Sequence, residues 1–480
     1  MVGFASIYPL LKEGRFPPYH LVEAVVLNFH QLTPEEQTKL IVLGRKIPPV
    51  KEILKKKLPL EDSIKTALLQ GELMEVPVPV VDPSSNSGKI SRIYLIKNSP
   101  KLWTNLQEYQ SILVNKIKPL TGKNFIALFE EKLEGYSFLL PLAVALIKPQ
   151  LLENFCFSGN LEADGKLIPV SGIKEKTEAC RKEEKTLITS NDFENLAQLL
   201  EYLGSTPKPL PIFIATKNRP LDVLKQNFKL LTNNIKNYLS EDFFKRVIND
   251  LPYKDLGFLT KGDDWKRALE LFERWIEKLD ATFEDAELHI ALDGPAALAF
   301  AYGIMHGTHK RAVFYHFHGG NYYPLVVVNE ETSRGLKKFV KDPKLVEWDF
   351  LPYEGRTNTD TLAVVLDMVS HPIAEKVKQF LKEENIKADI LLITHSERGN
   401  LNINRLWTED IAEIFSLIRE YFNKKPYEEI LFFFGTPVAL AFGLGVAFGH
   451  YAKGKIYSYF PNRKPQYVEV LKLEEIKKVR

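Results

Sequence analysis

The chain has 480 residues, 45% hydrophobic and 26% charged, with a formal net charge of +3. That length exceeds one hydrophobic core, so several domains are expected; the near balance of charge gives no sign of a polyanion-binding surface, so no direct DNA binding is expected, while local basic sites remain open. Two cysteines, Cys156 and Cys180, are too few for a disulfide framework or a four-ligand zinc site, and a reducing cytoplasm fits them best. Residues 1–74 read as short amphipathic helices, with Thr33 of Thr33-Pro34-Glu35-Glu36 as an N-cap and no nameable chemistry. Leu21–Phe29 lacks a basic start and contains Glu23, so it does not read as a signal peptide.

Val76–Val81 and Ile90–Ile96 alternate around Asp82-Pro83-Ser84-Ser85-Asn86-Ser87-Gly88, which predicts a hairpin. Leu102–Ile117 has helical spacing, Ile126–Phe129 reads as a strand, and Glu134-Gly135 leads through Tyr136-Ser137 to the apolar run Leu139–Ile147. In that run Pro141 is expected to remove a helical hydrogen bond. The stretch from Gly159 to Lys176 reads as a strand, a tight turn at Asp164-Gly165, a second strand Leu167–Val170, and a helix entered through Ser171-Gly172. Lys174 and Lys176 are two residues apart, so about 200° of helical rotation separates them. Lys174 shares a solvated stripe with Glu178 and Arg181, whereas Lys176 shares its face with Ala179 and Cys180 and points inward. Thr186–Thr189 and Asn191–Leu203 are the next strand and helix.

The segment Pro169-Val170-Ser171-Gly172-Ile173-Lys174-Glu175-Lys176 resembles the proteolytic domain of Lon proteases, with Ser171 where that family has glycine. The resemblance makes Lys176 the catalytic lysine and Ser158 the residue that hydrogen-bonds it. It places the nucleophile at Ser137, in Glu134-Gly135-Tyr136-Ser137-Phe138-Leu139, with a spacing of 176 − 137 = 39. An α+β Lon-like domain over 75–204 is therefore expected. No Gly-x4-Gly-Lys-Ser/Thr motif is present, so substrate unfolding driven by ATP is not expected.

Ser205-Thr206-Pro207-Lys208-Pro209-Leu210-Pro211 reads as an extended spacer between domains. Beyond it lies a repeat. His289-Ile290-Ala291-Leu292-Asp293-Gly294-Pro295-Ala296-Ala297-Leu298-Ala299-Phe300, followed by Gly303 and Gly307, recurs 142 residues later as Leu431–Phe442 followed by Gly445 and Gly449. Tyr315 and Phe317 correspond to Tyr457 and Tyr459, and Ile212–Ala215 before Arg219-Pro220 resembles Leu362–Leu366 before His371-Pro372. Strand–helix alternation predicts two fused Rossmann-like modules, over 205–350 and 351–480, each with a parallel sheet. Ile430 to Phe448 runs nineteen residues without a charge, yet Gly435-Thr436-Pro437 interrupts it, so strand, turn and buried helix are expected rather than a membrane span.

In each copy a strand ends in a small-residue turn and proline opens the helix, a place where free N–H groups attract anions. Gly294, Pro295, Thr436 and Pro437 are thus candidate ligand contacts. Lys217, Arg219 and His371 after the first strands, and Lys261, Ser396 and Arg398 in later strand-end loops, are further candidates. His306, His309, His316 and His318 suit sheet packing, and no metal site is assigned.

The paired segments resemble the SAVED domain, two fused CARF-like units that bind cyclic oligonucleotides. A Lon-like domain fused to SAVED is similar to the CRISPR-associated Lon protease family. That resemblance implies a type III CRISPR antiviral protease with no cofactor, activated by a cyclic oligoadenylate, cyclic tetra-adenylate in particular. It implies cleavage of a partner protein encoded nearby and a cytoplasmic location. Ligand-driven, head-to-tail oligomerisation is expected because two unequal halves present unlike ends. The alternative is a non-enzymatic cyclic-nucleotide sensor or scaffold with an inactive Lon-like domain.

Overall fold

In a computed structural model that describes residues 3–236, 238–354 and 359–477, the chain divides into two units that meet at Ser205 and Thr206. The first 70 residues are helical, with helices at Tyr19–Leu27, Pro34–Gly44, Pro48–Lys57 and Asp62–Gln70. Thr33 caps the second of these reciprocally with Glu36: the Glu36 N–H donates to Thr33 Oγ1 (3.2 Å), and the Thr33 N–H donates to Glu36 Oε2 (2.9 Å). These helices are not an independent cap. Their apolar faces cover Leu73, Tyr94, Ile96, Ile126 and Leu128 on one face of a sheet. That sheet holds β1 (Leu73–Asp82), β2 (Ser87–Lys97), β3 (Trp103–Thr104) and β4 (Phe125–Phe129) in the order β1-β2-β4-β3. The predicted hairpin is β1–β2, closing at Asp82 opposite Ser87.

The stretch 102–117 departs from its expected single helix. Trp103-Thr104 pairs with β4, and helix begins only at Gln107, passing into a π-helical turn at Leu113–Ile117. Beyond β4, helix Leu139–Ile147 precedes β5 (Phe155–Ser158), the short hairpin β6 (Asn160–Leu161) and β7 (Leu167–Ile168), helix Ile173–Lys182, and β8 (Thr186–Thr189). β5 and β8 are parallel, so the intervening helix runs back antiparallel to both. Helix Leu196–Gly204 starts five residues later than Asn191, because Asn195 caps it by accepting the Gln198 N–H.

In the second unit, β9 (Lys208–Ala215), β10 (Tyr253–Asp255), β11 (Ala286–Asp293), β12 (Arg311–His318) and β13 (Asn321–Val328) lie in the order β10-β9-β11-β12-β13. The prolines read as a spacer belong to this sheet. Pro209 and Pro211 sit in β9, whose N–H groups alternate between its two neighbours. Lys208 donates toward the β11 side, to Asp285 O, and Phe213 toward the β10 side, to Pro252 O. The odd positions 209 and 211 thus face the side where β10 has not yet begun, and their missing donors leave no ladder bond unmade.

A second sheet contains β14 (Val346–Leu351), β15 (Thr361–Asp367), β16 (Asp389–His395), β17 (Glu429–Gly435), β18 (Gly454–Tyr459) and β19 (Tyr467–Lys472), ordered β14-β16-β15-β17-β18-β19. Apart from the added edge strand β14, the two orders superpose. Both copies even break register at the same point, between Phe314 and Tyr315 and between Ile456 and Tyr457. Sheet membership of the second copy begins at Val346 rather than at 351.

Helices Ala296–His306 and Val438–Phe448, apolar on all sides and buried, pack against each other. A Cβ on Gly303 would lie 2.0 Å from Phe442 O, and one on Gly445 would lie 2.1 Å from Phe300 O. The repeated glycines therefore exist for backbone-to-backbone approach. Among the described residues, no helix is long and apolar enough to cross a membrane.

Candidate functional site

In the first unit the turn at Tyr136–Phe138 presents Ser137. Phe138 is buried, its ring 4.8 Å from Tyr109 and 5.2 Å from Phe129, which fixes the backbone of its neighbour. Helix Leu139–Ile147 starts one residue later, so Pro141 is its third residue, where an N–H has no partner within the helix. The expected loss of a hydrogen bond does not occur. The Ser137 carbonyl instead accepts the Gly159 N–H at 2.8 Å, and the Leu140 N–H donates to the Gly159 carbonyl at 2.9 Å. A Cβ on Gly159 would meet Leu140 and Ser190 inside 3.0 Å, so only glycine permits this approach. Ser137 is thereby tied to the end of β5 and is 9% exposed.

Lys176 lies on helix Ile173–Lys182 and is 6% exposed, whereas Lys174 is exposed, as the face argument requires. Among the described residues it has no hydrogen bond or ion pair. Burial holds its pKa below the ordinary lysine value, opposed in part by Cys180 and Glu175.

The two cysteines locate this amine. Cys180, one turn after Lys176, packs on Cys156, two residues before Ser158. One helical turn and two strand residues each advance about 6 Å, and the helix runs antiparallel to β5. The helix direction thus turns its Lys176 end toward the Ser158 end of β5, and Ser158 shares the strand face of Cys156; no hydrogen bond joins the two side chains among the described residues. The Ser158 hydroxyl is fully buried and has no hydrogen-bond partner among the described residues. No hydrogen bond joins Ser137 Oγ to Lys176 Nζ among them. A cleft of 720 Å³ is lined by Pro169, Ser190 and Asn191 among others, and Ser137, Ser158 and Lys176 are not in its lining. The Ser190 N–H donates to the Ser158 carbonyl at 3.1 Å. Asn191, overlooked in the sequence, clamps both backbone groups of Val170 at 2.9 and 3.3 Å and so fixes the entry to the Lys176 helix.

In the second unit a cavity of 410 Å³ lies at the carboxyl ends of β11, β15 and β17. It brings together four of the sequence candidates: Gly294, Pro295, His371 and Thr436. Pro437 is the N-cap of helix Val438–Phe448, between two lining residues. Lys376 and Tyr459 also line it, with the ammonium 4.8 Å above the ring centre and 3.4 Å from the hydroxyl. Lys376 was not a sequence candidate; the signal was its place one turn into the helix that follows His371-Pro372.

The other candidates lie outside the lining. Lys217 and Arg219 pair with Asp293 at 2.5 and 3.1 Å, while the backbone N–H groups of residues 217–219 donate to Asp255. Arg398 pairs with buried Asp367 at 2.5 Å and donates to the Val369 carbonyl at 3.0 Å. Lys261 is the N-cap of helix Gly262–Thr282, and Ser396 Oγ donates to the Leu345 carbonyl at 3.3 Å. Each half thus holds a carboxylate at a strand end, on β11 in the first and on β15 in the second.

The second sheet, with the helices that join its strands, coincides with a family match at residues 336–473: SAVED, the SMODS-associated and fused to various effectors sensor domain. These residues match a sensor domain. The match leaves the first half and the N-terminal unit outside it; the first half shares the strand order of the matched region. Among solved structures, the Acinetobacter baumannii Cap4 SAVED/CARF-domain containing receptor aligns at 12% identity, both with the cyclic trinucleotide 3′3′3′-cAAA (TM-score 0.36) and with 2′3′3′-cAAA (TM-score 0.37). Each alignment covers 63% of this chain and 74% of that one. The Moraxella osloensis Cap4 SAVED/CARF-domain containing receptor aligns at 12% identity over 52% of this chain and 59% of that one, with a TM-score of 0.30. No curated protein matches the chain.

Proposed function

We propose that this protein is a signal-gated serine protease. Its SAVED-like unit takes up a cyclic oligoadenylate, cyclic tetra-adenylate by the family resemblance, and its N-terminal unit cuts a specific partner protein in type III CRISPR defence. The observation that supports the catalytic part is Lys176: a lysine buried without an ion pair among the described residues, on a helix whose Cys180 packs on Cys156, two residues before the unpaired Ser158 hydroxyl. Burial favours the neutral amine, the form able to accept the Ser137 proton as Ser137 Oγ attacks the scissile carbonyl. An acyl-enzyme forms, the amine nitrogen of the substrate leaves with a proton, and water releases the acyl group. Ser158 orients the Lys176 amine.

The experiment is incubation with cyclic tetra-adenylate and the proteins encoded beside the gene, followed by mass spectrometry. Ligand-dependent cleavage of one protein, lost in Ser137→Ala, is expected. Ligand binding without cleavage would leave the alternative, a sensor or scaffold. Light scattering on adding ligand is expected to show growth beyond a dimer, since unlike ends associate head to tail.

A further inference from the structure

The two repeated turns at the cavity are not chemically equivalent. We propose that only the second-half turn, Gly435-Thr436-Pro437, binds a phosphate of the ligand, with Lys376 as its counter-charge, and that Asp293 bars phosphate from the first-half turn. This inference rests on the reading of the SAVED-like unit as a cyclic oligonucleotide sensor and assigns the ligand's orientation within it.

Three observations carry it. Thr436 lines the cavity at 6% exposed, and its hydroxyl meets only the thioether of Met368 at 3.6 Å, a weak acceptor. A buried hydroxyl that donates only to this weak acceptor, at the start of an 11-residue helix, can exchange the thioether for a phosphate oxygen. Lys376 is exposed and has no carboxylate partner among the described residues; its Nζ rests on Tyr459, in the same cavity. On the first-half side the residue before Gly294 is Asp293, where the second half has Gly435. Its carboxylate already holds Lys217 and Arg219, so the cations beside that turn are engaged by Asp293 rather than free to pair with a phosphate.

The second-half carboxylate, Asp367, is on the neighbouring strand and nearly fully buried. It is neutralised by Arg398 and by the N–H groups of Ile373 and Ala374 at 3.1 and 3.4 Å. It therefore leaves the Thr436 turn electrostatically open. A cavity of 410 Å³ is at the small end of ligand sites and holds about one nucleotide, so one phosphate is seated and the rest of the ring lies outside.

Calorimetric titration of cyclic tetra-adenylate into the full chain tests this. Lys376→Gln is expected to weaken binding about tenfold or more, while Lys378→Gln, the same charge change two residues on, stays within about twofold of wild type. Asp293→Asn is expected to tighten binding several-fold. Equal affinity in wild type and Lys376→Gln, or weaker binding in Asp293→Asn, would overturn the proposal. A wild-type chain that binds no cyclic oligoadenylate would instead overturn the sensor reading on which it rests.

Discussion

The two units treat buried charge in opposite ways. Around the strand ends of the second unit the buried carboxylate Asp367 and the half-buried Asp293 are each matched by arginine or lysine. In the first unit Lys176 is buried and forms no ion pair among the described residues, with only the neighbouring Glu175 carboxylate acting on it at a distance. Matched charge stabilises the strand ends around the cavity and fixes their shape. Unmatched charge costs folding energy and shifts a proton equilibrium, which suits a base that must be neutral at working pH.

The largest expected effect breaks the unmatched side. Ser137→Ala and Lys176→Ala should each reduce ligand-stimulated cleavage about ten-thousand-fold or more in a peptide-release assay, with ligand affinity within a few-fold of wild type. Lys174→Ala, on the exposed face of the same helix, should retain most activity. An inert Lys174→Ala beside an active Lys176→Ala would reverse the assignment of faces.

On the matched side the strongest lever is packing rather than charge. Gly445→Val or Gly303→Val drives a side chain into backbone 2.1 or 2.0 Å away, and should destabilise the second unit by about 3 kcal/mol or more in denaturant unfolding. Next comes the turn. Thr436→Glu places a carboxylate at a helix start and should weaken cyclic oligoadenylate binding roughly 10- to 100-fold by calorimetry. Gly294→Glu should show a smaller loss, mainly steric, because no phosphate is assigned to that turn and its Cβ would lie 2.9 Å from Thr216 Oγ1.

The smallest effect sharpens the contrast. Because burial lowers the Lys176 pKa, the unfolded chain holds a proton on this residue over a window below pH 10.5 in which the folded chain does not. Folded stability from this group therefore rises with pH through that window, and cleavage should rise with it as the amine becomes neutral. Lys176→Met, similar in shape and uncharged, should abolish cleavage, raise Tm by roughly 2–4 °C near neutral pH, and flatten this part of the pH profile. A lower Tm for Lys176→Met would mean that the lysine is matched after all.

Much of this was legible in the residues because it depends on local spacing. The inward face of Lys176 follows from helical period against Ala179 and Cys180. The Thr33 cap, the β1–β2 hairpin, and the reading of 430–448 as strand, turn and buried helix follow from turn chemistry and repetition. The repeat at 142 residues fixed the duplicated sheets, down to aromatic positions at the bulge. Local rules failed where the neighbour decides. Pro209 and Pro211 are compatible with β9 only because β10 begins late, and Pro141 is harmless only because the helix starts at Leu139.

What the tertiary structure alone decided is which distant groups share a site. The Lys176 end of its helix turns toward the Ser158 end of β5 because parallel β5 and β8 force the helix between them to run backwards, with Cys180 seated on Cys156. Lys217, Arg219 and Arg398, equivalent to free cations in the sequence, are held by carboxylates on strands far along the chain. Lys376, which no motif marks, faces the cavity through the turn of its helix. Period and turn chemistry set which face of an element a side chain occupies; strand order sets what that face meets, and no local pattern encodes strand order.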